Sequence, residues 1–239
     1  MYPDESLQAF IEPDPWWEPT ESIEYGRGRL IKAFLPHVDQ NPYIAIPIGR
    51  SEPAEHREAT VKFVPLDIRQ AIRYPNLPVA ALPQFPAERW GVYRIKKRPA
   101  LILGSGGSKI DNNLTAGKAK WQTNRTVIVA PYYGVDEGEK RSGFNPVFVD
   151  RIRRCEYPQF FWDKLPIVGS TVESILRLDH LQPVGRSQDS IEFMPYRLSA
   201  KALLLLEEWI DWIIKDDLAF GKEDEEPRLG DIREFLLEY

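Results

Sequence analysis

A chain of 239 residues, 43% hydrophobic and 28% charged with a net charge of −5, has room for one ordinary core with elaborations. Its 12% aromatic content excludes a low-complexity or disordered chain, and its single cysteine, Cys155, excludes an internal disulfide and a thiolate zinc cage. No run approaches the roughly 18 apolar residues that cross a bilayer, and "MYPDESLQAF" carries no basic patch before an apolar stretch, so a reducing, cytoplasmic setting away from membranes is expected.

Charge is divided along the chain: −7 over residues 1–24, +10 over 25–130, −1 over 131–198 and −7 over 199–239. A basic body of this kind attracts polyanions, and acidic ends compete for the same surface. In chain order, residues 1–24, with "EPDPWWEPTE", follow neither helical nor strand period and predict an acidic extended arm. "GRGRLIKAFLP", "PYIAIPIG" and "ATVKFVPL" read as short β-runs bounded by Gly and Pro, with a helical turn at "LDIRQAIRY". Proline inside such runs favours edge strands and bulges over a parallel sheet, because it cannot donate to the ladder.

In "KKRPALILG", residues 96–104, three cations run directly into a buried strand. The Gly-, Asn- and Lys-rich loop "SGGSKIDNNLTAGKAKWQTNR" follows, long enough to imply a function. "TVIVAPYYG" reads as another buried strand. "NPVFVD" and "SILRLDHLQPVG" complete the β-inventory, with the aromatic segment "EYPQFFWDKLP" between them.

Residues 199–218, "SAKALLLLEEWIDWIIKDDL", predict a helix N-capped by Ser199 with Leu203, Leu206, Ile210 and Ile213 at helical spacing. Leu205, Trp209 and Trp212 widen its apolar arc enough to call for a second covering surface, such as another subunit. Residues 221–239 read as an acidic tail in which "DIREFLLEY" can make a last amphipathic turn or two. The fold expected is mainly β within the α+β class, a small bent barrel of antiparallel strands over 25–220 with a C-terminal helix.

Little of this carries obvious chemistry. "GSGGSKI" fails as a phosphate loop, since Ser108 separates the last glycine from Lys109 and Ile110 follows it. His37, His56 and His180 are too scattered for a metal centre, and Cys155 has no paired base beside it, so no metal or cofactor is implied. The arginine before the strand "PALIL" remains: a planar donor fork on a rigid element, matched to phosphate oxygens.

"KKRPALILG", "TVIVAPYYG" and "ESILRLDHLQPVG", followed by a terminal helix, together resemble the PemK/MazF toxins of bacterial toxin–antitoxin systems over roughly residues 90–215. The resemblance implies an SH3-like barrel, usually a homodimer, that cleaves single-stranded RNA without a metal and is regulated by an antitoxin protein. Arg98 matches the family's arginine before proline. Tyr133 stands where the family has a threonine, Glu173 matches an acidic position, and the family's next arginine falls on Leu176 while Arg177 sits one place along. Arg98, Tyr133 and Glu173 are therefore the expected catalytic residues, and Lys96, Lys97, Lys109, Lys118, Lys120, Trp121 and Arg177 the expected RNA contacts. The family's first strand falls either on "GRLIKAFLP", with an insertion at about 36–80 before Arg98, or on "VAALPQFPAERWGVYRI". Alternation after Gly-Arg favours the former. The arm 1–24 or the "EDEEP" tail either is solvated or lies across the basic groove, as an antitoxin segment does in the family.

Overall fold

A computed structural model describes residues 2–69, 79–83, 85, 88–135, 143–167, 170–222 and 226–238, and the side chains of 120, 121, 170 and 171 lie outside that description. The chain makes β1 (Trp17–Pro19), β2 (Arg29–Pro36), β3 (Tyr43–Gly49), β4 (Thr60–Pro65), β5 (Gly91–Val92) and β6 (Ile95–Gly104). Two single-turn helices, α1 (Asn112–Thr115) and α2 (Lys120–Thr123), precede β7 (Thr126–Gly134). Then come α3 (Pro146–Arg153), β8 (Phe160–Ile167), β9 (Ser170–Arg177), β10 (Gln182–Gly185), β11 (Ile191–Leu198), α4 (Ala200–Lys215) and α5 (Leu229–Leu237).

The fold is mainly antiparallel β and of the α+β class, as expected. Eight strands form one sheet in the order β1-β11-β2-β6-β7-β9-β8, with β10 also paired to β7. This path is open, with β1 and β8 at its ends, so the closed barrel is replaced by a bent sheet among the described residues. The chain divides into two compact units, Met1–Phe34 with Lys97–Tyr239, and Leu35–Lys96. "GRLIKAFLP" is thus a strand of the main sheet, and the material after it is an insertion that runs to residue 96 rather than to about 80. The insertion has its own sheet, β4-β3-β5, and its ends are tied by a hydrogen bond from His37 N to Arg94 O at 2.9 Å. Part of "LDIRQAIRY" lies outside the described residues.

The larger unit has a main core and, among the described residues, a smaller buried cluster of Val149, Ile152, Trp162 and Ile175. Residues 100–103 of β6 are buried in succession, because both faces of that strand are covered. Leu176 of β9 and Phe161 and Leu165 of β8 extend the core along the sheet, and Leu205, Leu206 and Trp209 of α4 close it from one side. The Ser199 hydroxyl caps α4 by accepting from Ala202 N at 3.2 Å, as its sequence predicts.

The wide apolar arc of α4 is covered by this chain itself. Leu229, Ile232 and Leu236 of α5 join the same core, and Glu208 of α4 accepts from Leu229 N at 2.8 Å, so the acidic tail is in large part a docked helix. Leu7, Ile11 and Trp16 join it from the N-terminus, where Leu7–Ile11 is a single 3₁₀ turn and β1 pairs with β11. The expected extended arm is therefore packed into the core, and the two tryptophans that it would have laid over a groove are consumed there. Two further segments exchange roles. "NPVFVD" is helical in α3, because Asn145 Oδ1 accepts from Val147 N at 2.9 Å and Pro146 stands at the first helical position. "EYPQFFWDKLP" supplies the strand β8, paired along its whole length with β9.

One carboxyl lies inside this core. Asp163 of β8 is fully buried, accepting from Tyr132 Oη at 3.0 Å and Trp17 Nε1 at 3.2 Å. Burial raises its pKa to about 7 against the hydrogen bonds that lower it. The folded state therefore holds a proton that the unfolded chain releases from about pH 4 upward, and stability from this group falls as pH rises from about 4 to about 7. Asp163→Asn should flatten that slope relative to wild type by a few kcal/mol at most, read from urea melts at pH 4.5 and 7.5. Trp16, stacked on Phe161 with centroids 5.7 Å apart, should cost about 3–5 kcal/mol on change to Ala, and a loss within experimental error would return the first 24 residues to a free arm.

Candidate functional site

The site is set by the edge of β7. β10 pairs with Thr126–Val129 and β9 with Tyr132–Gly134, leaving a gap opposite Ala130 and Pro131. Pro131 has no N–H for a ladder bond, and here the facing segment, between β9 and β10, steps out as the 3₁₀ turn Leu178–His180. In a 3₁₀ turn the side chains of residues i and i+3 eclipse, so Arg177 and His180 are brought together. Arg177 Nη2 donates to His180 Nε2 at 2.8 Å, and its Nε and Nη2 form a bidentate pair with Asp179 at 2.8 and 2.7 Å.

Tyr133 meets this turn from β7. Its Oη lies 3.0 Å from His180 Nδ1, and the rings are edge to face at 5.7 Å. Arg98 stacks over the tyrosine with its Cζ 4.1 Å from the ring centroid, and Arg177 approaches the same ring at 5.7 Å. Register explains the meeting. Ala100 pairs with Pro131, a register that two residues further along places Arg98 beside Tyr133, while Tyr133 pairs with Ile175 of β9.

The contacts assign the imidazole tautomer. An arginine can only donate, so Nε2 must accept and the ring proton must sit on Nδ1, which donates to Tyr133 Oη. His180 is 8% exposed and both of its nitrogens are engaged. The phenol proton is thereby directed away from the imidazole. Burial alone would push the Asp179 carboxyl up, but the bonds and charge of Arg177 outweigh it and hold the group below the ordinary carboxylate range.

The sequence-predicted residues divide between this cluster and elsewhere. Arg98, Tyr133 and Arg177 converge. Arg98, however, is only 7% exposed: the donor fork expected to meet phosphate oxygens is turned inward by alternation, onto Tyr133. Arg177 reaches the site because Leu176, on the family's arginine position, points into the core and is fully buried. Glu173 lies on the same face two residues beyond Ile175, beside its register partner Lys164, while the carboxylate within the cluster is Asp179.

Lys96 is exposed on β6, and Lys97 is exposed and ion-paired with Glu192. Lys109 and Lys118 are exposed on the 105–125 loop at the far end of β6 and β7, roughly 23 Å from Tyr133 at the rise of a strand. The loop therefore does not flank Arg98. The side chains of Lys120 and Trp121 lie outside the described residues. Cys155 is buried, with its thiol pushed up to about 12 by burial, consistent with a packed residue. Asp179 and His180 were missed as site residues. Their signal is "RLDH" with a proline in the facing strand, legible only once the two strands are known to pair. Among the described residues no helix is long and apolar enough to cross a membrane.

No family model, curated protein or solved structure matches this chain. The site is therefore read from its own chemistry and from the short motifs that brought Arg98 and Tyr133 forward.

If Tyr133 Oη accepts from His180, nitrogen-15 spectra at neutral pH should show a neutral ring protonated on Nδ1, and Tyr133→Phe should remove the chemical-shift signature of that bond while leaving the melting temperature within a few degrees. A ring protonated on Nε2 in the wild type would overturn the assignment.

Proposed function

We propose that the chain is a PemK/MazF-like ribonuclease that cleaves single-stranded RNA without a metal at the Arg98–Tyr133–Arg177–His180 cluster. The observation that carries this reading is the convergence of two guanidiniums on one tyrosine whose hydroxyl is held by an imidazole N–H. Arg177, the more exposed of the two arginines, takes the phosphate, and Arg98 fixes the tyrosine ring from its other contact. The RNA 2′-hydroxyl attacks the adjacent phosphorus and gives its proton to Asp179, the carboxylate within the cluster. The departing 5′-oxygen takes the phenol proton of Tyr133. Products are a 2′,3′-cyclic phosphate and a 5′-hydroxyl. Negative charge arising on Oη meets the His180 Nδ1–H and both arginines, which are already in position, so little reorganisation is required.

A second reading is supported by the same geometry. Arg98 is nearly covered and Asp179 already occupies the fork of Arg177, a pattern that also suits a non-catalytic module binding nucleic acid or a protein partner. An antitoxin and a second copy of the chain are partners that the family resemblance implies for the first reading.

Long single-stranded RNA incubated with chelator should yield cyclic-phosphate ends with wild type, and Tyr133→Phe should slow cleavage about 10²–10⁴-fold, the range of an acid–base contribution. Equal inertness of wild type, Arg98→Ala and Tyr133→Phe, with binding that weakens steeply as salt rises, would replace the nuclease with the binding module.

A further inference from the structure

A second basic concavity lies at the opposite end of the β6–β7 pair from Tyr133. It encloses about 510 Å³ and is lined by Lys109, Arg125 and Arg186, together with Asn112, Asn124 and Thr126 and further neutral residues. Among the described residues no carboxylate lines it: Asp111, though flanked by two lining residues, is not one of them.

The loop that walls it is fixed by a glycine. Gly106 has φ +71°, and a Cβ there would fall 2.0 Å from Thr126 O, so only glycine lets the loop lie against the start of β7. "GSGG", which failed as a phosphate loop, is thus a close-approach device. It brings the Ser105 carbonyl to two guanidiniums, accepting from Arg125 Nη2 at 3.2 Å and Arg186 Nη1 at 3.3 Å, while Gly107 O accepts from Arg125 as well. Arg186 is further held over the Tyr25 ring at 4.2 Å.

Two like charges are therefore fixed side by side on neutral acceptors. Arg125 Nε is buried and has no hydrogen-bond partner among the described residues. The Arg186 guanidinium is drawn below its usual range by desolvation and then by the charge of Arg125. An anion between them would offset that repulsion, and arginines already anchored give up little side-chain freedom when it binds.

From this geometry we infer that the cavity binds a nucleotide unit, its phosphate held by Arg125, Arg186 and Lys109. The Asn112 and Asn124 amides, each both donor and acceptor, suit the edge of a base, and the volume falls in the range of small-ligand sites. The unit comes either as a free mononucleotide or as one residue of a single-stranded RNA. The inference does not rest on the reaction proposed at Tyr133.

Titration calorimetry of the full chain with adenosine 5′-monophosphate, against adenosine and inorganic phosphate, tests it, together with anisotropy of a fluorescent single-stranded RNA. Wild type should bind the monophosphate saturably by about 1 mM and adenosine far more weakly. Lys109→Gln combined with Arg186→Gln should lower that affinity at least about tenfold at an unchanged melting temperature. Should that variant fail to fold, Asn124→Asp, which places a carboxylate in the lining, should give the same loss. Monophosphate that displaces the RNA, or RNA that binds through these residues when the monophosphate does not, assigns the pocket to a strand. Monophosphate binding that leaves RNA binding untouched assigns it to a free nucleotide. Saturation by neither ligand, or equal affinity in wild type and folded variants, overturns the site. Tyr133→Phe should keep the monophosphate affinity, so a failed nuclease and a failed pocket are told apart.

Discussion

Two adjacent tyrosines on β7 face opposite sides of one strand, and the arrangement of the larger unit follows from that alternation. Tyr132 turns inward and closes on the buried carboxyl of Asp163, while Tyr133 turns the other way and receives Arg98 and His180. β7 is flanked by β6 on one edge and by β9 and β10 on the other, so it is held in register from both sides. A slip of one residue would turn each tyrosine to the opposite face, so that at most one of Asp163 and His180 would still meet a tyrosine hydroxyl. Core polarity and site geometry are therefore one constraint, imposed by the strand's period of two.

The three cations at the mouth of the core receive different treatments from the same period. Lys97 points to solvent and is neutralised by Glu192, whereas Arg98 turns under and lies flat on an aromatic face. A guanidinium is delocalised and weakly hydrated, so it tolerates this position far better than an ammonium would. In such a place it holds a ring in one orientation, and Arg177, from β9 on the far side of β7, approaches the same ring at 5.7 Å.

Much of this was legible in the residues. The helix at 200–215 announces itself through Ser199 and its apolar spacing, β6 and β7 through unbroken apolar runs, and the insertion through the strand that ends at Pro36. Other parts were hidden for identifiable reasons. "NPVFVD" has the composition of a strand, and only the Asn-Pro cap betrays a helix. "EPDPWWEP" buries its tryptophans singly, with no period to detect. His180 enters the site through a turn that exists because the facing strand carries a proline, a fact about pairing that no local pattern records. Glu173 has the right residue type at the right place in a motif, yet Asp179, nearer to Arg177 across the turn, is the carboxylate that reaches it.

The insertion bears on how such a sheet assembles. β2 and β6 are neighbours, yet about sixty residues separate them along the chain, and bringing such distant segments together slows folding by the entropy of closing the intervening loop. The bond from His37 to Arg94 draws the two ends of that stretch to one point once the smaller unit has formed. From then on the two strands meet as though joined by a tight hairpin, and a distant encounter is converted into a local one.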